Sequence, residues 1–314
     1  MTAWGGLARR AALAVPTLVG LSFLIFTLIS AAPGDPAVEL ARRTSPGGEP
    51  APHEVAAARH ELGLERPFLV QYARWLGGAL QGDLGRSFSR GTSVTAEILQ
   101  RLPSTVQLAC AAFVLVVVLS VPLGVLAATQ HRHWIDGVLR LAALVGASVP
   151  GFFLAYLLII VFAVQLGVLP VAGRTGPGSL VLPAVALALG PTAIVSRLVR
   201  SSLLDVLGED YIRTAVAKGL DRTRVVLCHG LRPAAIPVLT VLGGVLAGLL
   251  EGALIIEVIF AWPGVGQLAY EAVGQRDYPL VLGTVLLAGV CYVTVNLLVD
   301  ALYMVLDPRV REAV

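Results

Sequence analysis

Few side chains in this chain are placed to do chemistry. The single lysine, Lys218, follows an alanine and sits in no G-x-x-x-x-G-K-[ST] phosphate loop, so the chain is not expected to hydrolyse nucleotide. His53-Glu54 is followed by Val-Ala-Ala, which is not an H-E-x-x-H zinc site. Gly146-Ala-Ser148-Val-Pro150 lacks the closing glycine of a nucleophile elbow. An intramembrane hydrolase would need a nucleophile paired with a base, or paired aspartates, and the sequence offers neither. Cys110, Cys228 and Cys291 are far apart and form no C-x-x-C pair. They read as small buried apolar residues, with no structural disulfide and no metal cluster.

What remains is a segment suited to contact rather than catalysis: Asp210-Tyr-Ile-Arg-Thr-Ala-Val-Ala-Lys-Gly219-Leu-Asp-Arg-Thr-Arg-Val226, then Arg232-Pro-Ala-Ala-Ile-Pro237. Leu203, Leu204, Leu207, Tyr211, Ala215 and Lys218 keep a three-to-four spacing, which predicts one helix over 201–218. Gly219 can take a positive φ and end that helix. Asp221 can cap a second short segment after the turn. Ala215 and Ala217 are small enough to admit another protein closely, and Arg213, Lys218, Arg222 and Arg224 surround them with positive charge. Two readings fit this spacing. One is a basic helix lying on anionic headgroups. The other is a docking contact whose motion passes to the rest of the chain.

The elements that carry this segment are membrane spans. Of the 314 residues, 56% are hydrophobic and 14% charged, and the mean hydropathy is +0.82. A soluble domain could not bury that much apolar surface. The net charge of +3 gives no reason to expect nucleic acid. Six uncharged runs are long enough to cross a bilayer: 11–32, 102–130, 141–173, 175–196, 233–250 (continuing to about Phe260) and 278–299. The breakers in Gly167–Gly173 predict a surface turn. Pro122, Pro150 and Pro183 suggest kinks. The first run comes after Arg9-Arg10 and is too long for a signal peptide core, so it reads as a retained helix.

Lys and Arg set the orientation. Arg9, Arg10, Arg132, Arg140, Arg197, Arg200, Arg213, Lys218, Arg222, Arg224, Arg232, Arg309 and Arg311 fall on one side, against Arg174 and Arg276 in the opposite short connections. Both termini are therefore expected in the cytosol. The segment 33–101, with eight arginines and eight acidic residues, is expected outside. Pro46–Pro52 reads as a turn within it, and His53–Leu62 and Pro67–Leu80 as short helices. The domain reading is 1–32, cytosolic N-terminus and first helix; 33–103, an external subdomain; and 104–314, a five-helix core carrying the loop at about 201–232.

Ionisable residues inside spans are costly and usually functional. Arg197 and Asp300 lie at span ends, Glu257 at the outer end of the fifth, and Glu251 deeper. Glu251 reads either as a residue of a water-filled vestibule or helix contact, or as part of a substrate path, with Glu257 as a second path or gating candidate. Gly244, Gly248 and Gly252 repeat every four residues, a spacing that lets helix backbones approach, either within the chain or against a partner.

The loop Asp210–Leu220 with Leu231-Arg-Pro-Ala-Ala-Ile-Pro-Val238 resembles the ATPase-docking loop of ABC-importer permeases, in the dipeptide/oligopeptide/nickel branch. The likeness extends along nearly the whole chain, through Pro33-Gly-Asp-Pro36, Leu62–Pro67, Gln71–Leu76, Gly82-Asp-Leu-Gly-Arg-Ser87, Leu102–Thr105, Glu257–Gly266, Arg276-Asp-Tyr-Pro279, Asn296–Asp300 and Leu306–Arg309. The family's docking loop begins with Glu-Ala-Ala; here Arg213 stands for the glutamate, while Ala215 and Gly219 fit. The resemblance implies an all-α, six-helix type I importer permease, the first of a pair, in the cell membrane. It implies a second homologous permease, two ATPases that bind ATP and Mg, and an external binding protein, with no cofactor held by this chain. It places docking on Asp210, Tyr211, Arg213, Thr214, Ala215, Ala217, Lys218, Gly219, Arg222 and Arg224. The implied cargo is a dipeptide or oligopeptide, with nickel or another metal chelate as the alternative. An ion-coupled secondary carrier is the rival from another class.

Overall fold

The structure, a computed structural model, describes residues 3–31, 34–44 and 49–306. Pro33, residues 46–48 of the Pro46–Pro52 turn, Arg309 and Arg311 lie outside the described residues. Thirteen α-helices run in order among them: α1 (Ala3–Ala31), α2 (Pro36–Thr44), α3 (Pro52–Glu61), α4 (Phe68–Leu80), α5 (Val94–Thr129), α6 (Trp134–Ser148), α7 (Gly151–Leu158), α8 (Val181–Leu207), α9 (Asp210–Ala217), α10 (Arg222–Arg224), α11 (Leu231–Ile259), α12 (Val265–Gly274) and α13 (Tyr278–Leu306). No strand occurs among the described residues. Among the described residues five helical stretches are long and apolar enough to cross a bilayer, and the bent pair α6–α7 passes the same test when its two halves are taken as one span.

The third span is broken rather than straight. Pro150 cannot continue the backbone ladder and holds Val149 extended (φ −82°, ψ 123°), so α6 and the helical stretch Gly151–Gln165 meet at 103°. Beyond α7 the chain relaxes into a π-helical turn, Ile159–Gln165, before the expected surface turn. Of the other two prolines expected to kink, Pro122 lies in the continuous α5, and Pro183 lies in the first turn of α8, where its missing N–H has no partner to lose. Pro16, Pro191 and Pro237 stand inside helices instead.

The chain forms two compact units by contact, and these do not keep to sequence order. One comprises residues 1–7, 105–262 and 295–314, the other 8–104 and 263–294. In the first, α8 is the central element. Its buried face (Leu182, Ala186, Val195, Val199) packs with Val116 of α5, Ala155 of α7 and Leu249 and Ile256 of α11, closed by Phe260 and Trp262. Glycine makes one of these approaches possible: a Cβ on Gly124 would stand 2.5 Å from Val199 Cβ and 2.7 Å from the Ser196 carbonyl oxygen.

In the second unit, α1 meets α4 through aromatic edges. Phe23 lies 5.1 Å from Tyr72 and Phe26 lies 5.5 Å from Phe68, centroid to centroid, while the Ser22 and Tyr72 hydroxyls sit 2.8 Å apart. The helices α2 and α3 pack through Ala37, Ala41 and Ala58. The two helices expected in the external segment are thus present as α3 and α4, within a residue or so of their sequence-predicted bounds.

The cysteines depart from expectation. Cys110 and Cys228 are exposed and Cys291 is half-buried, all as free thiols. On a membrane span an outward face meets lipid, so a small apolar side chain has no need to turn inward.

Candidate coupling loop and membrane cavities

The loop between α8 and α11 is built on the first unit. The single helix expected over 201–218 is two: α8 stops at Leu207, Gly208 and Glu209 turn the chain, and α9 starts at Asp210. At the far end of α9, Gly219 takes φ +80°. The Gly219 N–H donates to the Val216 carbonyl at 2.9 Å and the Leu220 N–H to the Ala215 carbonyl at 3.3 Å, the paired bonds that satisfy a helix's last carbonyls. The Asp221 carboxylate then accepts from the Thr223 N–H at 3.0 Å and opens α10. Arg222 reaches the last turn of α5 and donates to the Thr129 carbonyl at 3.1 Å. A π-helical turn, Val225–Gly230, joins α10 to α11.

One face of this knuckle is buried and the other bare. Ile212 and Ala215 pack on Val225, with Val206, Leu207 and Leu220 around them. Ala215 is therefore a correction: it is 7% exposed and packs inside the chain, so it cannot admit a partner. Asp210, Tyr211, Arg213, Thr214, Ala217, Lys218, Gly219, Arg222 and Arg224 are all exposed. Their internal ties are slight. Arg213 meets Asp210 at 3.2 Å, Thr214 donates to the Asp210 carbonyl at 3.0 Å, and Tyr211 makes a 3.5 Å contact with the His229 carbonyl. The arrangement can present a rigid, mostly basic surface and transmit a push to α8 and α11. It pairs no nucleophile with a base.

Along α11, Thr240, Gly244, Gly248, Glu251 and Ile255 share an exposed face. Packing of all three glycines within the chain is not what the structure shows. Nothing lies within 4 Å of a Cβ on Gly244 or Gly248, whereas one on Gly252 would stand 3.1 Å from Leu187 Cδ1 of α8. The four-residue spacing drifts around the helix, so only Gly252 reaches the rim that α8 covers. Glu251 faces outward, while Glu257 is fully buried beside Phe260 and Trp262 at the end of α11. Glu257 thus belongs to the interior of the unit.

Among the described residues of this unit, cavities open in two places that bear on the site. The first, of about 240 Å³, lies where the α6–α7 break (Val149, Gly151, Phe152) faces Gly190-Pro191 of α8 and Gly252 of α11. The second, of about 180 Å³, lies between α5, α6 and α8 with Arg140, Arg197 and Arg200 among its lining. Arg200 is already answered: its guanidinium grips the buried Asp136 at 2.7 and 2.8 Å and reaches His131 at 3.1 Å.

Nothing in the sequence marks Asp136 and Arg200 as a pair, and Asp277 stands out there only as part of Arg276-Asp-Tyr-Pro279, with no partner indicated. In the second unit Asp277, 0% exposed, accepts the Ser87 and Ser89 hydroxyls at 2.6 Å each and the backbone N–H groups of Phe88 (3.1 Å), Ser89 (2.9 Å) and Leu280 (3.3 Å). Burial pushes its carboxyl up, but these donors outweigh it and hold the group below the ordinary carboxylate range. Beside it Arg90 bridges Glu97 at 2.7 Å and Glu271 at 2.6 Å. Gly82–Ser87 and Arg276–Pro279, which each carry part of the family resemblance, meet here through Ser87 and Asp277.

The described residues form an all-helical chain of membrane-spanning helices with a bare knuckle before α11 and a cavity at the α6–α7 break, the organisation of a membrane protein with a contact loop. Known proteins agree. Residues 120–312 match the family model described as binding-protein-dependent transport system inner membrane component, and residues 5–109 match its N-terminal companion. A putative peptide transport system permease protein of Brucella abortus (strain 2308) is 42% identical over 311 residues, covering 96% of this chain and 98% of its own. The dipeptide transport system permease protein DppB of Escherichia coli (strain K12) is 38% identical, covering 97% and 98%. Among solved structures, the inward-facing MetNI methionine ABC transporter contains a chain that overlays 67% of this one and 96% of its own, with a TM-score of 0.56 at 20% identity, a likeness of fold. The chain belongs to the family of binding-protein-dependent transport system inner membrane components.

Proposed function

We propose that this chain is the first permease subunit of an ATP-driven peptide importer. It forms the translocation path with a second homologous permease and couples that path to two ATPases through the knuckle 210–224. Both termini and the knuckle face the cytosol, and the segment 33–103 faces an external binding protein that delivers the peptide. This chain binds no cofactor; ATP and Mg belong to the ATPases. Asp210, Tyr211, Arg213, Thr214, Ala217, Lys218, Arg222 and Arg224 form the docking surface, Ala215 anchors it from within, and Gly219 sets its turn. Glu251, on the open face of α11, borders the path.

The observation that carries this reading is the knuckle: turned at Gly219, capped at Asp221, packed on one side and bare on the other. Peptide as cargo rests on the full-length identity with permeases named for peptide and dipeptide transport. Among the described residues no three His, Cys, Asp or Glu side chains converge, which favours a peptide over a bare metal ion.

The test begins with purification from the native membrane in mild detergent and mass spectrometry of what accompanies the chain. One homologous permease, one or two ATPases, and vanadate-sensitive ATP hydrolysis are expected. Recovery alone, or only as a homo-oligomer even after cross-linking at 210–224, overturns the proposal. In the reconstituted importer, Gly219→Pro should abolish ATP-driven dipeptide uptake, because proline cannot take φ +80°. Wild-type uptake and assembly in that variant would refute the docking assignment.

A further inference from the structure

The 180 Å³ cleft between α5, α6 and α8 is apolar within and basic at its mouth. Leu123 and Ala127 of α5, Ala142 and Ala143 of α6, and Leu189 and Ala193 of α8 form the walls. At the mouth stand Arg140 and Arg197, both exposed and neither in an ion pair among the described residues, whereas Arg200 beside them is already held by Asp136. Deeper in, Thr192 lines the cleft. It is 4% exposed, and its hydroxyl has no hydrogen-bond partner among the described residues. Ser120 of α5 is in the same state, whereas Thr240, Thr284 and Thr294, also within long apolar helices, each donate to their own i−4 carbonyl. A buried hydroxyl without a partner is costly, and this one lines the cleft, so an acceptor that enters would find a donor there.

The depth of these groups fits one kind of molecule. Arg140 immediately precedes the uncharged run that begins at Leu141, and Arg197 immediately succeeds the run that ends at Ser196. Both therefore stand at the edge of the hydrocarbon, where headgroups lie. Thr192 is five residues inside Arg197 on α8, about 7.5 Å deeper at 1.5 Å per residue. A phosphate at the mouth would meet two guanidinium groups. An ester carbonyl one layer down would meet the Thr192 hydroxyl, and an acyl chain would cover the alanine and leucine walls. We infer that this cleft is a binding site for an anionic phospholipid, which wedges between α6 and α8 next to the knuckle. A free phosphate would satisfy the arginines and leave the walls and Thr192 unmet. A helix of another subunit would have to bury two unpaired cations.

Native mass spectrometry of the intact complex, released from detergent containing equal phosphatidylglycerol and phosphatidylcholine, tests this. The complex should retain phosphatidylglycerol preferentially. At about fivefold per basic residue, the double variant Arg140→Gln/Arg197→Gln should lower that preference about 25-fold. Ala143→Leu, which fills the cleft and leaves both charges, should release the lipid as well. Equal retention of both lipids, or an unchanged preference in the double variant, overturns the proposal. Displacement by millimolar inorganic phosphate overturns it in favour of a free-phosphate site. Efficient cross-linking of Ala143→Cys to another subunit overturns it in favour of a protein contact.

Discussion

Asp277 is expected to hold the 82–93 segment in place, and the effect can be worked from its bonds. Replacing it with alanine removes the acceptor for five donors at once. The two hydroxyls can recover, since Ser87 and Ser89 already lie 3.2 Å apart and can bond each other. The Leu280 amide lies in the first turn of α13, outside that segment; within it the amides of Phe88 and Ser89 cannot turn. At about 1.5 kcal/mol for each stranded amide, the loss is about 3 kcal/mol, or about two orders of magnitude in the population that opens locally. Hydrogen exchange of the purified complex reads this directly, because those amides are the ones released. Peptides covering 82–93 should exchange about 100-fold faster in Asp277→Ala, while peptides from α8 keep their wild-type rates. No acceleration at 82–93, or equal acceleration throughout, would refute the reasoning. The pH dependence has a definite sign. The folded carboxyl titrates below its ordinary value of 3.8, so the open state binds more protons. Its contribution is full above that value and is lost only as the pH falls below it.

Three further outcomes rest on the packing. Gly124→Ala should destabilise by about 2 kcal/mol, because the new Cβ would press on the Ser196 carbonyl, which cannot swing aside; an unchanged thermal midpoint would remove α5–α8 contact at this glycine as a determinant. Asp136→Ala should cost about 3 kcal/mol by leaving Arg200 without its partner, and Arg200→Leu in the same chain should restore much of it; a double variant no more stable than Asp136→Ala would contradict this. Glu251→Gln should leave stability within about 0.5 kcal/mol, since the side chain faces outward, yet change the rate of peptide uptake in the reconstituted importer. A loss of stability with unaltered uptake would make Glu251 a structural residue.

The membrane class is readable from the order of the residues. Uncharged runs longer than a bilayer is thick have few alternatives, and Gly219 with Asp221 two residues on announces a turn and a cap whatever surrounds them. These are local signals, carried by residues a few positions apart. The break at Pro150 was legible as a proline, but its 103° bend was not, because the direction of a bend depends on what the two halves pack against. The inward turn of Ala215 and the outward turn of Gly244 and Gly248 were hidden for the same reason: a helical stripe has a period but no label for which side meets a neighbour. Asp277 and Ser87 are 190 positions apart, and Asp136 and Arg200 are 64 apart. Asp136 and Arg200 each read alone as an ordinary polar residue near a span end, and the motifs that hold Ser87 and Asp277 name no partner for either. Only the tertiary structure pairs them, because a buried carboxylate must find donors, and the fold alone decides which donors stand within reach.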